Sequence, residues 1–267
     1  MKSIIALTDF TPAADNATHY AAKLCKELGA PLSLLHVYQI PITMSDMPVI
    51  MVSAEELKNN ADNGLMRVKE ELINNYPDLE ISTTSRIGDV ADEVNEMTKE
   101  ANPLAVVLGR NNYSGLERAL FGSTAISLIR GFKFPVITVP ENTTFKNFKS
   151  VVLATDLQNI DATPVDAMKS LFQDFPISLH ILHVADEKDE PKDANPLLSK
   201  LQSLNPQFHL VQNSDVTKGI EEFVEKIDAS LLLVLPHHHK WFDSLFTKQH
   251  SKDIIRHINI PVLTIAD

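Results

Sequence analysis

The chain contains the same ordered set of short motifs twice. Thr8-Asp9 recurs as Thr155-Asp156, and Leu35-His36-Val37 recurs as Leu182-His183-Val184, in both cases 147 residues further along. Two later pairs recur at an offset of 126 residues: Asp89-Val90 as Asp215-Val216, and Pro135-Val136 as Pro261-Val262. Four landmarks in one order indicate a duplicated domain. The second copy is 21 residues shorter between its second and third landmarks.

The length of the chain agrees with two compact domains. A chain of 267 residues has the size at which a single core usually gives way to two, and repeats of roughly 130 residues match the commonest domain size. Residues 140–149 are polar and show no apolar period, as is typical of a connection. We therefore expect a first domain over residues 1–141, a linker over 142–149 and a second domain over 150–267.

Apolar runs alternate with amphipathic helical patterns in both copies. The patterns predict strands at Ile4–Leu7, Leu32–Tyr38, Leu79–Arg86, Leu104–Leu108 and Pro135–Val139, then at Val151–Thr155, Ile177–Val184, Phe208–Gln212, Leu231–Leu235 and Val262–Ile265. They predict helices at Pro12–Leu28, Ala54–Asn75, Asp89–Ala101, Ser123–Arg130, Thr163–Phe172, Pro196–Leu204, Val216–Ile227 and Phe242–Ile258. Continuous apolar strands separated by helices are typical of parallel sheets that are covered on both sides. The fold predicted is α/β, with two tandem open five-stranded parallel sheets and helices on both faces.

Composition excludes several classes of protein. The net charge of -11 and the pI near 5.3 oppose binding to nucleic acid or to an anionic membrane. The single cysteine, Cys25, cannot form an internal disulfide, which fits a reducing compartment. The N-terminal apolar run is too short for a signal peptide, and no apolar stretch reaches the length of a membrane span. We expect a cytoplasmic protein.

The most informative loop follows the fourth strand of the first copy. It runs from Gly109 to Thr124 and contains further glycines at 115 and 122. Its last two residues, Ser123 and Thr124, stand at the start of a predicted helix. Glycines let backbone N–H groups approach an anion, and the helix N-terminus favours negative charge. Arg110 and Arg118 add positive charge. This loop, Thr8-Asp9 after strand one and Val37-Tyr38 after strand two are expected to meet at the carboxyl edge of the sheet, where open α/β folds bind ligands.

The motifs together resemble the universal stress protein family. Its nucleotide-binding members carry G-x2-G-x9-G-[ST] after the fourth strand, whereas the P-loop and the Rossmann G-x-G-x-x-G pattern are absent from this chain. Gly109, Gly122 and Ser123 match that pattern, and Asn112 replaces its second glycine. The Thr-Asp, Leu-His-Val and Pro-Val motifs extend the resemblance over both copies.

The resemblance implies a nucleotide held across the ends of strands one, two and four. By position, Asp9 would contact the adenosine moiety and Val37 would meet adenine through its backbone. The residues implied to hold ribose and phosphates are Gly109, Gly122, Ser123 and Thr124. The implied ligand is ATP with Mg²⁺. Asparagine tolerates the left-handed backbone at position 112, but its side chain occupies space that glycine leaves for phosphate.

The second copy has lost the residues of this loop. Leu235, His238, Lys248 and Gln249 stand where the first copy has Gly109, Asn112, Gly122 and Ser123. We expect this half to bind no nucleotide and to act as a dimer partner within the chain, as family members commonly pair. Further homodimerisation through an outer edge stays open.

Histidines and an insert complete the list of candidates. His237, His238 and His239 form a run, but neighbouring side chains point apart and no zinc-motif spacing occurs, so we expect no metal site there. His36 and His183 are expected to be hydrogen-bonded core histidines. The insert over residues 41–51 carries three of the seven methionines. It is expected to cover the sheet edge or to pack against the other copy, or else to serve as a lid or partner surface.

Three functions remain open at the level of sequence. The first is a stress-response module that binds a nucleotide in its first half. The second is a structural or interaction protein without a ligand, which Asn112 and the altered second copy favour. The third is a slow ATPase. No nucleophile elbow of the form G-x-S-x-G is present and no catalytic residue is predicted.

Overall fold

The computed structural model describes residues 2–40, 53–110, 128, 134–186, 188, 190, 192–235 and 258–265. In the first half, the strands are β1 (Ile4–Leu7), β2 (Leu32–Tyr38), β3 (Ile81–Ile87), β4 (Ala105–Arg110) and β5 (Val136–Pro140). The helices of this half are α1 (Pro12–Leu28), α2 (Ala54–Asn75) and α3 (Val90–Ala101). The predicted insert over 41–51 and most of the predicted helix Ser123–Arg130 lie outside the described residues.

The second half repeats the arrangement with shorter helices. Its strands are β6 (Ser150–Ala154), β7 (Ser178–Ala185), β8 (Gln207–Gln212), β9 (Leu231–Val234) and β10 (Val262–Thr264). Its helices are α4 (Val165–Phe172), α5 (Asn195–Lys200) and α6 (Val216–Lys226), with 3₁₀ turns at Ile160–Ala162 and Gln202–Leu204. The predicted helix Phe242–Ile258 falls almost wholly outside the described residues.

All ten strands form one sheet in the order β3-β2-β1-β4-β5-β10-β9-β6-β7-β8. Neighbouring strands are parallel within each half, and β5 and β10 are antiparallel. The predicted α/β class with five parallel strands in each half is confirmed. The structure adds that the two sheets join edge to edge, so that the strand order of one half mirrors that of the other.

The two faces of the sheet carry separate cores because side chains alternate along a strand. Ile4 and Ala6 belong to the core that includes α1, α2, α4 and α5, whereas Ile5 and Leu7 belong to the core that includes α3 and α6. A strand such as β1, whose alternate residues belong to different cores, is buried on both sides. That is why β1 reads as a continuous apolar run rather than as an alternating one.

Local signals at the helix ends are confirmed. The α1 helix follows Thr11, whose hydroxyl accepts a hydrogen bond from the Ala14 N–H, and it ends at Gly29 in the left-handed conformation with φ of 61°. The α3 helix begins after Asp89, whose carboxylate accepts from the backbone N–H groups of Ala91 and Asp92. Polar caps of this kind satisfy N–H groups that have no partner within the helix.

The connection between the halves is part of the core. Phe148 is 1% exposed and lies 5.5 Å from Phe172 and 4.9 Å from Phe175, measured between ring centroids. Phe145 contacts Phe148 and also Tyr20 of α1, each at 5.2 Å. The predicted polar linker therefore carries two aromatic side chains that pack both halves together. Among the described residues, no helix is long and apolar enough to span a membrane.

Candidate functional site

The strand order reverses between β1 and β4. From β1 the chain order continues through β2 to β3 on one side, while β4 and β5 lie on the other side. Ala6 pairs with Val107, so that two residues further along, just past the end of β1, come Thr8 and Gly109. In open α/β sheets a crevice forms at such a reversal, because the connections leave the sheet in opposite directions. The structure therefore brings two of the predicted segments to one crevice.

A tight turn carries Asp9 at this crevice. The Thr8 hydroxyl accepts a hydrogen bond from the Phe10 N–H at 3.1 Å. Oδ1 of Asp9 accepts from the Thr11 backbone N–H at 3.1 Å and from the Thr11 hydroxyl at 2.6 Å. Both of these bonds use one carboxylate oxygen of an exposed side chain. The turn thus fixes the position of Asp9 and leaves Oδ2 for a ligand hydroxyl.

Phe10 and Gly64 form a contact that the sequence patterns do not reveal. Phe10 has a left-handed backbone with φ of 63°, and its ring lies 4.4 Å from the His36 ring. A Cβ added to Gly64 of α2 would lie 2.5 Å from Cζ of Phe10. Any side chain at position 64 would therefore make the Phe10 ring shift from its present position against α2. The only sequence signal was a glycine in the middle of a helix, where glycine is disfavoured unless something packs closely against it.

His36 is a hydrogen-bonded histidine beside the crevice. Its Nδ1 lies 2.7 Å from the Thr8 carbonyl oxygen, and because a carbonyl can only accept, Nδ1 carries the proton. In the second half, Nδ1 of His183 makes the same bond to the Thr155 carbonyl at 2.9 Å. Each histidine thus bonds to the backbone of the turn that follows the neighbouring strand, β1 for His36 and β6 for His183. Both histidines are hydrogen-bonded as expected, and His183 is buried, whereas His36 is only half-buried.

Val37 of β2 lies two residues beyond Leu35, the last residue of β2 that pairs with β1. The register between β1 and β2 ends at Leu7 and Leu35, and the Leu35 carbonyl accepts from the Thr8 N–H at 3.0 Å. Backbone groups of alternate residues in a strand point to the same side. The N–H and C=O of Val37, two residues after Leu35, therefore point toward the crevice side of β2, as the predicted contact with adenine requires.

Gly109 contacts the first turn of α1. A Cβ at this position would lie 2.3 Å from the Ala13 carbonyl oxygen and 2.7 Å from the Ala14 backbone nitrogen. Both atoms are backbone, which cannot move aside without displacing the helix. Packing against the α1 backbone therefore requires glycine at position 109, independently of any phosphate. The same close approach brings the N-terminus of α1 next to the end of β4.

The Arg110 guanidinium is buried and bonded to the second half of the chain. Arg110 is 4% exposed, and its Nη2 donates a 2.7 Å hydrogen bond to the carbonyl of Ile258 in the second half. Burial lowers the pKa of Arg110 to about 10, which still leaves the side chain charged at neutral pH. The bond to Ile258 directs the side chain toward the junction between the halves, and the expectation that Arg110 adds positive charge beside a phosphate stays a prediction.

The second half repeats the turn of the first. Leu157 N–H donates to the Thr155 hydroxyl at 3.0 Å and has a left-handed φ of 58°, and Gln158 N–H donates to Oδ1 of Asp156 at 2.9 Å. The Thr-Asp turn is thus a property of the fold in both halves. Its presence alone does not identify a ligand site.

Leu235 and Lys192 occupy the corresponding region of the second half. Leu235, the counterpart of Gly109, is buried, and the first turn that Gly109 accommodates in α1 is replaced by a 3₁₀ turn ahead of α4. Nζ of Lys192 donates to the Asp156 carbonyl at 2.9 Å. Lys192 and Asp156 line a cavity of about 140 Å³. Among the described residues, this volume is below the range typical of a pocket for a small-molecule ligand.

Several predicted residues cannot be placed. Asn112, Gly122, Ser123 and Thr124 of the phosphate loop lie outside the described residues, as does the run His237–His239. The structure therefore places Thr8, Asp9, Val37 and Gly109 around one strand reversal, with the Arg110 side chain bonded to Ile258. The roles of the remaining loop residues stay predictions.

The family of the chain follows from comparison with known proteins. The model of the universal stress protein family matches residues 1–140, which is more than half of the chain. The chain belongs to this family. No curated protein sequence matches it.

Two of the three solved structures described next share the fold of this universal stress protein over nearly its whole length, at low sequence identity. A universal stress protein from Archaeoglobus fulgidus DSM 4304 has a TM-score of 0.75 and 18% identity, over 99% of this chain and 98% of that one. A functionally unknown protein from Pseudomonas aeruginosa PAO1 has a TM-score of 0.58 and 11% identity, over 100% and 92%. A universal stress protein in complex with cAMP has a TM-score of 0.40 and 19% identity, over 52% and 96%.

Proposed function

We propose that this universal stress protein binds an adenine nucleotide, ATP with Mg²⁺, in its first half. The observation that carries the proposal is the position of Asp9, Val37 and Gly109 around the strand reversal between β1 and β4. Ligands of open α/β sheets bind at such reversals. The glycine-rich sequence pattern that follows β4 supplies the phosphate-binding part of the proposed site.

Each described residue has a specific role in this proposal. Oδ2 of Asp9 accepts a hydrogen bond from a ribose hydroxyl, since the turn occupies Oδ1. The backbone of Val37 exchanges hydrogen bonds with the adenine edge. Because Gly109 has no side chain, β4 and the first turn of α1 approach each other closely. Phosphates are held by Gly122, Ser123 and Thr124, with Asn112 in place of the second family glycine, and Arg110 adds positive charge from the junction between the halves.

The second half acts as an in-chain dimer partner in the same proposal. Support comes from the antiparallel pairing of β5 with β10 and from the aromatic packing of Phe148 in the connection. We propose domain boundaries at residues 1–141 and 150–267, with 142–149 as a packed connection. One nucleotide is then expected for each chain, because Leu235 and Lys192 occupy the equivalent region of the second half.

Calorimetric titration with ATP and Mg²⁺ tests the proposal, and the repeat supplies a matched control. Asp9→Ala and Asp156→Ala remove equivalent carboxylates from equivalent turns. We expect one binding site in the unchanged protein and a loss of at least tenfold in affinity for Asp9→Ala, with Asp156→Ala unchanged. Substituting Gly122 with valine is expected to abolish binding. Equal effects of the two aspartate variants would show that the turn acts only through stability.

A ligand-free interaction protein is the second candidate. It is favoured by Asn112 and by the finding that the Thr-Asp turn also forms in the second half, which lacks the glycine-rich loop. The same titration separates the two functions. No heat of binding at millimolar ATP, with Mg²⁺ present, would reject the nucleotide site and leave the interaction protein.

A further inference from the structure

We propose that Asp15, His19 and Glu71 form a binding site for a divalent transition-metal ion of the Zn²⁺ class. Asp15 and His19 lie on α1 and Glu71 lies on α2. One ligand atom from each residue lies within 4.8 Å of the ligand atoms of the other two. The site is distinct from the proposed nucleotide crevice and from the histidine run at 237–239.

Helix geometry explains why these three side chains converge. Residues four apart on a helix lie on the same face, one turn above the other, so that Asp15 and His19 both face in one direction from α1. Glu71 approaches from the neighbouring helix, and its Oε1 lies 3.2 Å from Nε2 of His19. Two ligand atoms bound tetrahedrally to zinc are about 3.3 Å apart, as follows from metal bonds of about 2.0–2.1 Å. Two of the three ligand atoms therefore already have the required separation.

The donor set selects the class of metal. One imidazole nitrogen and two carboxylate oxygens suit Zn²⁺ and its neighbours better than Ca²⁺ or Mg²⁺, which prefer oxygen ligands alone. Two carboxylates also neutralise the charge of the ion. Three protein ligands leave one tetrahedral position for water.

An ordinary ion pair does not account for all three residues. His19 and Glu71 form a complete pair by themselves. The carboxylate of Asp15 adds a second negative charge close to Glu71, and the two carboxylates repel each other. Asp15 also stands in the first turn of α1, where negative charge is favourable, but that role does not require it to face Glu71. A cation between the three side chains removes the repulsion.

A metal at this position would join α1 to α2. The two helices also meet the crevice: α1 approaches Gly109 through its first turn, and Gly64 of α2 carries the Phe10 ring. Metal binding is therefore expected to raise the stability of the first half, since a ligand that binds only the folded state stabilises it.

Titration with ZnCl₂ of a variant with alanine at His237, His238 and His239 tests the site, since that run is a competing source of imidazoles. We expect one Zn²⁺ per chain in calorimetry, and a visible d–d absorption when Co²⁺ replaces Zn²⁺. His19→Ala and Glu71→Gln should each lower the affinity at least tenfold. Glu70→Gln, which removes the same charge from the next residue of α2, should leave it unchanged.

Thermal unfolding gives a second readout that does not depend on the heat of binding. Zn²⁺ is expected to raise the midpoint in the triple-alanine background and in Glu70→Gln, but not in Glu71→Gln. Circular dichroism confirms that each variant is folded before the titration. Unchanged Zn²⁺ affinity in both His19→Ala and Glu71→Gln, or an equal loss in Glu70→Gln, would overturn the site. Neither result would affect the ATP titration, because the two sites share no residue.

Discussion

Thr138 and Thr264 donate equivalent hydrogen bonds across the junction between the two halves. Oγ1 of Thr138 donates to the Val262 carbonyl at 3.3 Å, and Oγ1 of Thr264 donates to the Val136 carbonyl at 3.3 Å. The two threonines occupy equivalent positions of the repeat, so the contact is self-complementary in the manner of a two-fold symmetric dimer interface. The junction thus has the local symmetry of a dimer, although it lies within one chain.

Replacing both threonines by valine is expected to destabilise the protein by about 1–3 kcal/mol, because two buried carbonyls lose a donor while the shape of the side chain is kept. Urea unfolding measures the change in the free energy of unfolding. Thr143→Val is the control, since the Thr143 hydroxyl donates to the Asn259 carbonyl at 3.0 Å in an exposed position. A double variant no less stable than this control would mean that the symmetric bonds contribute little.

Arg110 breaks the symmetry of the junction, since Pro236 is its counterpart in the second half. Arg110→Ala is expected to cost about 2–4 kcal/mol, because it removes a buried side chain and deprives the Ile258 carbonyl of its donor. Arg67→Ala on the exposed face of α2 is expected to change stability by less than about 0.5 kcal/mol. Urea unfolding of both variants distinguishes the junction role from a general effect of charge. Similar small losses of stability in the two variants would contradict a specific role of Arg110 at the junction.

Gly109→Ala tests the close approach of α1 to β4. The added Cβ would meet the backbone of Ala13 at 2.3 Å, so we expect a loss of about 2–4 kcal/mol from displacement of the helix. Gly219→Ala is the comparison, because its Cβ would meet the Val184 side chain at 2.7 Å, and a side chain yields more easily than backbone. Thermal unfolding should rank Gly109→Ala well below Gly219→Ala. The reverse order would show that α1 shifts without cost.

Periodicity and repeats predicted most of the fold because they report burial directly. The strand Ile4–Leu7 and the helix Pro12–Leu28 are found with the predicted bounds. The joining of two sheets into one was not predictable, since the sequence of β5 reads the same whether its outer edge is free or paired. Similarly, Phe145 and Phe148 stand in a polar segment without a period, so their burial follows only from the approach of the two halves.

The candidate site was predictable in its positions but not in the directions of its side chains. Motif spacing placed Thr8, Asp9 and Gly109 at one edge, because parallel strands end together. Arg110 immediately follows Gly109, and no pattern could show that its side chain crosses to Ile258. The second half was recognised as altered from Leu235, whereas the bond from Lys192 to Asp156 depends on a loop contact between distant residues.

The pair His180 and His209 is expected to make stability depend on pH. Nδ1 of His180 lies 3.0 Å from Nε2 of His209, and a hydrogen bond between them requires that one of the two nitrogens carry no proton. Burial lowers the pKa of both side chains from 6.5, and each is lowered further by a neighbouring cation, His209 for His180 and Lys226 for His209.

The direction of the pH effect follows from these pKa shifts. Below the unfolded pKa of 6.5, the unfolded chain binds protons that the folded pair resists, so the free energy of unfolding falls as the pH decreases. His209→Leu should flatten the curve of unfolding free energy between about pH 7 and pH 5, because the leucine has no proton to gain. Parallel curves for His209→Leu and the unchanged protein would assign the acid sensitivity to other groups.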